Sequence, residues 1–406
     1  MDIHTFGVQP ITCHAWNKDR TEVALSPNNA DVQLYKREPG GGWSPGQTLS
    51  RHDLRVTSVD WAPRSNRIVT CAADRNAYVW TLGSDEPGAK ATVWTPTLVL
   101  LRINRAATCV RWSPQENKFA VGSGAKVVSV CYFEEDHNWW VSKHIKKPIK
   151  STATSVDWHP NNCLLACGST DFRTRVFSAY IKEVDSAPEP TPWGDKGASF
   201  GTLVAELSAS GIGWVHSVCF SGDGTRLAWV GHDSSVCVAD AQRGQAIVCV
   251  RTPYLPFLSC LWVSPTRLLV AGYDCTPMVY EYSNGQLSFV DKMDKSQRKE
   301  MDGVSGDSWL AAGSSSQHSI AGGGDDPEVI SPAAAMRKFL NMDKHAMESR
   351  GDTLLDTAHQ NAISLVSLVQ GERDNASRVC TQGMDGRLIL WDLKTLQSSM
   401  AGMRIV

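Results

Sequence analysis

The residue types that could do chemistry recur in two matched sets. His52, Thr70, Asp74 and Trp80 make one, and His359, Thr381, Asp385 and Trp391 make the other. In each, the Thr lies four residues before the Asp and the Trp six after it; the His stands 22 residues ahead of Asp74 but 26 ahead of Asp385. Repeated Asp residues invite a catalytic reading. The structural reading is stronger, because a buried Asp, His, Thr and Trp can hydrogen-bond in sequence and tie a turn to the following strand. No zinc-protease helix motif, complete phosphate loop or nucleophile elbow accompanies them. Gly122-Ser-Gly-Ala-Lys126 looks like a fragment of a phosphate loop but reads as one more strand turn. No catalytic residue, cofactor or metal ligand is assigned, and the chain is expected not to be an enzyme.

Two further groups carry reactive or charged side chains. None of the twelve cysteines forms a C-x-x-C pair, and Cys71, Cys109, Cys219, Cys260 and Cys380 fall inside expected strands as small buried apolar residues, so neither disulfides nor zinc is expected. The basic run Lys143-His-Ile-Lys-Lys-Pro-Ile-Lys150 could contact phosphate groups, but a solvated strand edge or a protein-contact patch explains it better. Asn375-Ala-Ser is a glycosylation sequon by pattern only.

The elements that position these residues are short strands. From Thr70 to Trp80 a short apolar run meets a turn at Asp74 and Asn76 and then alternates through Ala77, Tyr78, Val79 and Trp80, which reads as strand, turn, strand. The stretch from Thr381 to Trp391 repeats it. An aromatic anchor ends another strand upstream of each such turn: Trp16, Trp61, Trp112, Trp158, Phe220, Trp262 and, weakly, Leu368. Seven copies at a spacing of roughly 40–45 residues, four strands each, are the signature of a β-propeller. The expected fold is therefore all-β, a single seven-bladed WD40 β-propeller over residues 1–406. Residues 3–7 match the register of the outermost strands elsewhere and should complete the last blade, clasping the chain ends together. The extra residues in the seventh copy fall within Gly371–Ser377, as a polar insertion.

Two stretches break the period. After a fourth blade over Ser151–Tyr180, the Pro-rich segment Ala187-Pro-Glu-Pro-Thr-Pro-Trp193 cannot pair inside a sheet and reads as a rim loop. Between blades six and seven lies a long insert, residues 291–354. Its first part is rich in Gly, Ser, Ala and Asp, a composition that cannot bury enough surface to fold alone. Ser331-Pro332 then gives a helix start, with an N-cap side chain and Pro at the first helical position. A short amphipathic helix is expected at about 332–347, with Met336, Phe339, Leu340 and Met347 on one face, flanked by Arg337, Lys338, Asp343 and Lys344. It either folds back on the rim or binds a partner.

Composition bounds the function. At 42% apolar and 20% charged residues the chain is of ordinary soluble globular type, and a formal net charge of −2 implies no general attraction to nucleic acid or anionic membrane. No apolar run approaches the length of a bilayer span, and the first residues lack the features of a signal peptide, so a cytoplasmic or nuclear location without membrane insertion is expected.

Several strings go beyond the general repeat grammar. Asp74-Arg-Asn-Ala-Tyr-Val-Trp80, Asn104-Arg-Ala-Ala-Thr-Cys-Val-Arg-Trp-Ser-Pro114, Asn138-Trp-Trp-Val-Ser-Lys-His-Ile-Lys-Lys-Pro148, Trp158-His-Pro-Asn-Asn162 and Gly213-Trp-Val-His216 closely resemble the WD-repeat subunit, subunit 1, of the actin-related protein 2/3 complex. The resemblance runs over nearly the whole chain. It implies a non-enzymatic scaffold in an assembly that nucleates branched actin filaments. It further implies contacts with actin-related protein 2 and with subunits 4 and 5 of the same complex. The protruding helix of the insert would contact the actin filament and nucleation-promoting factors. Here that helix maps to Met336–Met347, where Phe339-Leu-Asn-Met342-Asp343 is similar to the family's core motif and Met336, Arg337, Phe339, Leu340, Met342, Asp343 and Met347 are the candidate contacts. The competing readings are a generic WD-repeat adaptor for another multiprotein assembly, and a propeller hydrolase, for which no convergent carboxylates or metal ligands are found.

Overall fold

Successive side chains on a strand point to opposite faces, so a strand covered on both sides is apolar or small throughout and an edge strand only alternately so. Leu164–Ser169 follows the first pattern, as does Lys118–Ser123 apart from its lysine, and every residue of both is buried. Trp43–Ser50, Leu203–Leu207 and Ala246–Arg251 follow the second. The computed structural model describes residues 1–83, 92–194, 196–209, 213–294 and 355–393. They form seven four-stranded antiparallel sheets, the blades of a propeller. Blade one takes its strands from residues 13–50, blade two from 56–99, blade three from 107–145, blade four from 153–207, blade five from 215–251 and blade six from 257–292. The helix expected at about 332–347 lies outside the described residues.

The seventh blade is closed by the N-terminus. Its innermost strand is Ile363–Glu372, followed outward by Asn375–Gly383 and Arg387–Asp392, and the outermost is Asp2–Thr5, with Ile3 opposite Ile389 and Thr5 opposite Arg387. Pairing the first strand with the last leaves no open edge between chain ends. Behind it, His14 of blade one contacts Gln382 at 2.7 Å through Nδ1 and Ser367 at 2.8 Å through Nε2, both in blade seven. Gln382 also donates to the Ile11 carbonyl at 3.0 Å. The seam between the first and last blades is thus held by a buried polar network as well as by strand pairing.

The anchor aromatics lock neighbouring blades. Trp158 Nε1 donates to the Arg111 carbonyl and Trp262 Nε1 to the Cys219 carbonyl, each at 3.1 Å and each reaching the preceding blade. Asp60 and Asp157, each just before an anchor, accept at 2.7 Å from the amides of Trp112 and Phe220 in the following blade. Burying an indole against the preceding sheet while satisfying its one donor makes blades four and six depend on blades three and five.

Two expectations require correction. Blade four does not end at Tyr180, because its fourth strand, Leu203–Leu207, follows the long loop and pairs with Arg173–Ser178. The Pro-rich segment is a loop that precedes this strand, and Trp193 at its end is buried, donating to the Gly224 carbonyl at 2.8 Å. The expectation of no disulfide is also overturned. Cys237 and Cys249 stand directly opposite each other on adjacent strands of blade five, with Cα atoms 4.1 Å apart, and are bonded. Cross-strand register creates this pair, and spacing along the chain does not display it. The other ten cysteines form no disulfide among the described residues, and burial pushes thiols such as Cys131 up to about 12.

Candidate functional site

The two matched sets are each assembled around a turn. His52 Nδ1 lies 2.8 Å from Asp74 Oδ2, His52 Nε2 lies 2.8 Å from Thr70 Oγ1, and Trp80 Nε1 donates to that same Oγ1 at 3.0 Å. A carboxylate only accepts and an indole N–H only donates, so the direction of the chain follows. Trp80 donates to Thr70, Thr70 to His52 and His52 to Asp74. In the second set His359 Nδ1 lies 3.2 Å from Asp385 Oδ1, Nε2 lies 2.7 Å from Thr381 Oγ1, and Trp391 Nε1 donates to Thr381 at 2.8 Å.

Each carboxylate is held further by backbone amides: Asp74 by those of Asp53 and Asn76, Asp385 by those of Gln360 and Arg387. Burial pushes both carboxyls up, but the histidine and amide donors outweigh it and hold them below the ordinary value. Every polar atom of these relays has a partner inside the fold, which suits a tie between turn and strand better than an exposed acid–base pair. Asp385→Ala should cost on the order of 1–3 kcal/mol by leaving those donors unsatisfied, whereas Asp136→Ala, at an exposed turn, should leave stability nearly unchanged. Urea denaturation of the two variants checks this, and equal effects would refute the assigned role.

The channel mouth on the opposite end of the blades was not legible in the sequence. Asp60, Arg111 and Asp157 come from equivalent positions in blades two, three and four and line a cavity of about 530 Å³. The extra residues of blade seven extend a hairpin whose tip residue Arg373 crosses to this wall. Its guanidinium meets Asp157 at 2.6 and 2.8 Å and the Phe220 carbonyl at 3.0 Å. The nearby Asp157 carboxylate more than offsets the burial of Arg373, raising its pKa. Behind the tip, Ala376 N–H donates to the Val263 carbonyl of blade six at 3.0 Å. The hairpin therefore ties blade seven to blades four, five and six across the channel. Among the described residues, no group of three or more His, Cys, Asp or Glu is placed to hold a metal ion.

The other end of the propeller is the candidate docking face. In an antiparallel blade, the loop entering the innermost strand and the turn after the second strand lie at the same end, so these segments from all blades share one face. In blades five and six they carry exposed Trp214, Leu255 and Tyr273. Trp214 is 49% exposed, and its ring lies 5.4 Å from that of His232, which in turn meets His216 at 3.0 Å. Burial, with His232 as second cause, lowers the pKa of His216 to about 4. A large indole held half out of a rigid ring, with two further exposed apolar side chains on the same face, has the character of a protein-contact surface.

The basic run divides between two settings. Lys143 on the outermost strand pairs with Glu183 at 3.3 Å, and His144 Nε2 donates to the Leu101 carbonyl at 2.8 Å. Lys146, Lys147 and Lys150 instead stand exposed on the loop of the docking face. The Gly122–Lys126 segment is the end of one strand and the turn to the next, where Ser123 Oγ donates to the Val127 carbonyl at 2.7 Å.

Comparison with known proteins agrees with this architecture. The model of the WD domain, G-beta repeat, matches residues 43–81 and 141–178. The chain is 50% identical over 408 residues to actin-related protein 2/3 complex subunit 1A-A of Xenopus laevis, covering 100% of each chain. It is 42% identical to actin-related protein 2/3 complex subunit 1 of Schizosaccharomyces pombe, over 94% of this chain and 96% of that one. To actin-related protein 2/3 complex subunit 1B of Arabidopsis thaliana it is 40% identical, over 98% of each.

Proposed function

This chain belongs to the actin-related protein 2/3 complex subunit 1 family, and on that premise we propose that it is a non-catalytic scaffold subunit of such a complex, supporting nucleation of branched actin filaments. The observation that carries the reading is identity near one half along the entire length of both chains, ring-closing N-terminus included. A propeller whose blades are cross-tied at the seam and across the channel is a rigid platform, which suits a part that holds others in register. Within the complex it works at the actin cytoskeleton of the cytoplasm.

The finer partner set we put forward is actin-related protein 2 and subunits 4 and 5 of the same complex, with the actin filament and nucleation-promoting factors met through the insert. Met336, Arg337, Phe339, Leu340, Met342, Asp343 and Met347 are the contacts proposed for it. Exposed Trp214, Leu255 and Tyr273 offer the propeller's own protein-contact surface.

The test is one preparation with two readouts. The chain, tagged and purified from its own cells, should bring down the other subunits of the complex. The double variant Phe339→Ala/Leu340→Ala should assemble and melt like the unaltered protein, yet form fewer branches per assembled complex. Two such side chains are worth roughly 1.5–3 kcal/mol each when buried, enough for at least a tenfold loss of affinity. Loss of stability with branching per complex unchanged would place the helix on the propeller itself. Failure to bring down the complex would remove the scaffold reading altogether.

A further inference from the structure

The loop face carries a second property on blades two to four. Nine cations, Arg51, Arg55, Arg75, Arg102, Arg105, Lys126, Lys146, Lys147 and Lys150, all exposed, stand on the entry loops and second turns of three consecutive blades. Three acids share these loops and turns, and two are already engaged: Asp74 with His52, and Asp171 with Arg175 at 2.9 Å. Only Asp53 is exposed. Among the described residues none of the nine cations takes part in an ion pair with a carboxylate, and the few bonds they make are to neutral oxygens, such as Arg55 to Asn28 and Arg102 to the Ser142 carbonyl. A formal net charge of −2 for the whole chain therefore conceals a strongly positive half-face.

Large apolar side chains project from the same loops. Leu54 is 54% exposed, Leu100 47% and Phe172 49%, each separated from the next by cations. Nothing in the blades requires this arrangement. The charged side chains sit at loop tips, outside the strand ladders, and like charges placed together repel one another. Such a cluster is intelligible when something anionic neutralises it. The cavities at the opposite channel mouth and beside Trp16 and Trp43 are lined by none of these nine cations. Cations fanned over three adjacent blades with isolated apolar fingers between them match a broad anionic plane with a hydrocarbon layer beneath it.

We propose that the face formed by the loops of blades two to four binds an anionic phospholipid membrane surface, with Lys146, Lys147, Lys150 and the arginines of blades two and three facing headgroups and Leu54, Leu100 and Phe172 entering the interface. Attraction of about 1 kcal/mol for each Lys or Arg near an anionic leaflet, falling away within a Debye length, makes the binding cumulative and salt-sensitive. Peripheral binding of this kind needs no membrane-spanning element.

Vesicle flotation tests it, on the full chain and on the multisubunit assembly purified through it. Phosphatidylcholine vesicles should recruit neither, vesicles containing phosphatidylserine should recruit both, and high salt should release them. Lys146→Gln/Lys147→Gln/Lys150→Gln should weaken binding on the order of a hundredfold, and Phe172→Ala should weaken it further, with melting temperatures unchanged. Lys18→Gln/Arg64→Gln, exposed cations on the opposite end, should leave it unaltered. Binding by the free chain but not the assembly would overturn the proposal, because another subunit would then own the face. So would a free inositol phosphate, or polyglutamate, that displaces the protein at lower charge concentration than the vesicles require, since each would identify a soluble anion or an acidic polypeptide as the better occupant.

Discussion

Replacing Lys118 by Ala is expected to lower the unfolding free energy by about 3–5 kcal/mol, the usual cost of removing one partner from a buried ion pair. Lys118 lies on the second strand of blade three with no exposed surface, and its ammonium touches Asp185, donates to the Ala179 carbonyl at 3.0 Å and sits 5.2 Å from the Trp158 ring centre. Burial pulls its pKa below the ordinary lysine value in spite of the carboxylate beside it. Asp185 also accepts from Asn162 at 2.9 Å, from the Ile181 amide at 2.8 Å and from Asn117 at 3.2 Å, so one residue of the long loop after blade four's third strand is tied to blades three and four. Without Lys118 that carboxylate is left buried and uncompensated. Lys118→Met combined with Asp185→Leu should cost clearly less than the sum of the single changes. Denaturant titration of the three variants decides the matter, and a loss below about 1 kcal/mol for Lys118→Ala would show that the pair is not a closed buried unit.

Acidification is expected to weaken the propeller in two stages, and the first belongs to His14. Burial lowers the pKa of His14 to about 4, with its contact to Gln382 opposing in part. In the unfolded chain the imidazole returns to about 6.5. Between those values the unfolded state binds a proton that the folded state excludes, so stability rises with pH across the window and is lost as pH falls through it. The full difference corresponds to about 3 kcal/mol. His216, lowered likewise to about 4 but partly exposed, adds a smaller share in the same direction. The second stage involves Asp74 and Asp385, whose folded pKa values are depressed. Their contribution is present above the unfolded carboxylate value, near 4, and disappears as pH falls through the folded one. His14→Gln should flatten the stability profile between about pH 4 and 6.5 while leaving the more acidic limb in place. Hydrogen exchange at low pH should accelerate first at the seam between blades one and seven, where His14 bridges to Ser367 and Gln382. An unchanged profile in the variant would remove His14 from this account.

What the sequence alone determined is the part of the molecule written in a local repeat. Anchor aromatics, turn aspartates and two-residue alternation announce the blades, because strand pairing within a blade joins neighbours a dozen or so residues apart. Residues 1–7 declare themselves by the same register. The two His–Thr–Asp–Trp groups are visible because their members keep nearly constant spacing, even though His359 and Asp385 stand 26 positions apart. The family resemblance rests on strings of the same local kind.

Only the tertiary structure decided what meets across the ring. Arg373 and Asp157 are 216 positions apart, and nothing in Gly371–Ser377 beyond its polarity tells that its tip spans the channel. Nothing in the sequence around Lys118 names the carboxylate it meets once the loop from blade four brings Asp185 to it. Cys237 and Cys249 become partners through cross-strand register, and the nine cations of blades two to four become one surface only when three separate loops are brought to the same end of adjacent sheets. Short-range order follows from backbone geometry and hydrophobic period, which each segment carries in itself. Long-range pairing depends on how the whole ring closes, and side chains that are polar, charged or small carry no periodic mark of the neighbour they will find.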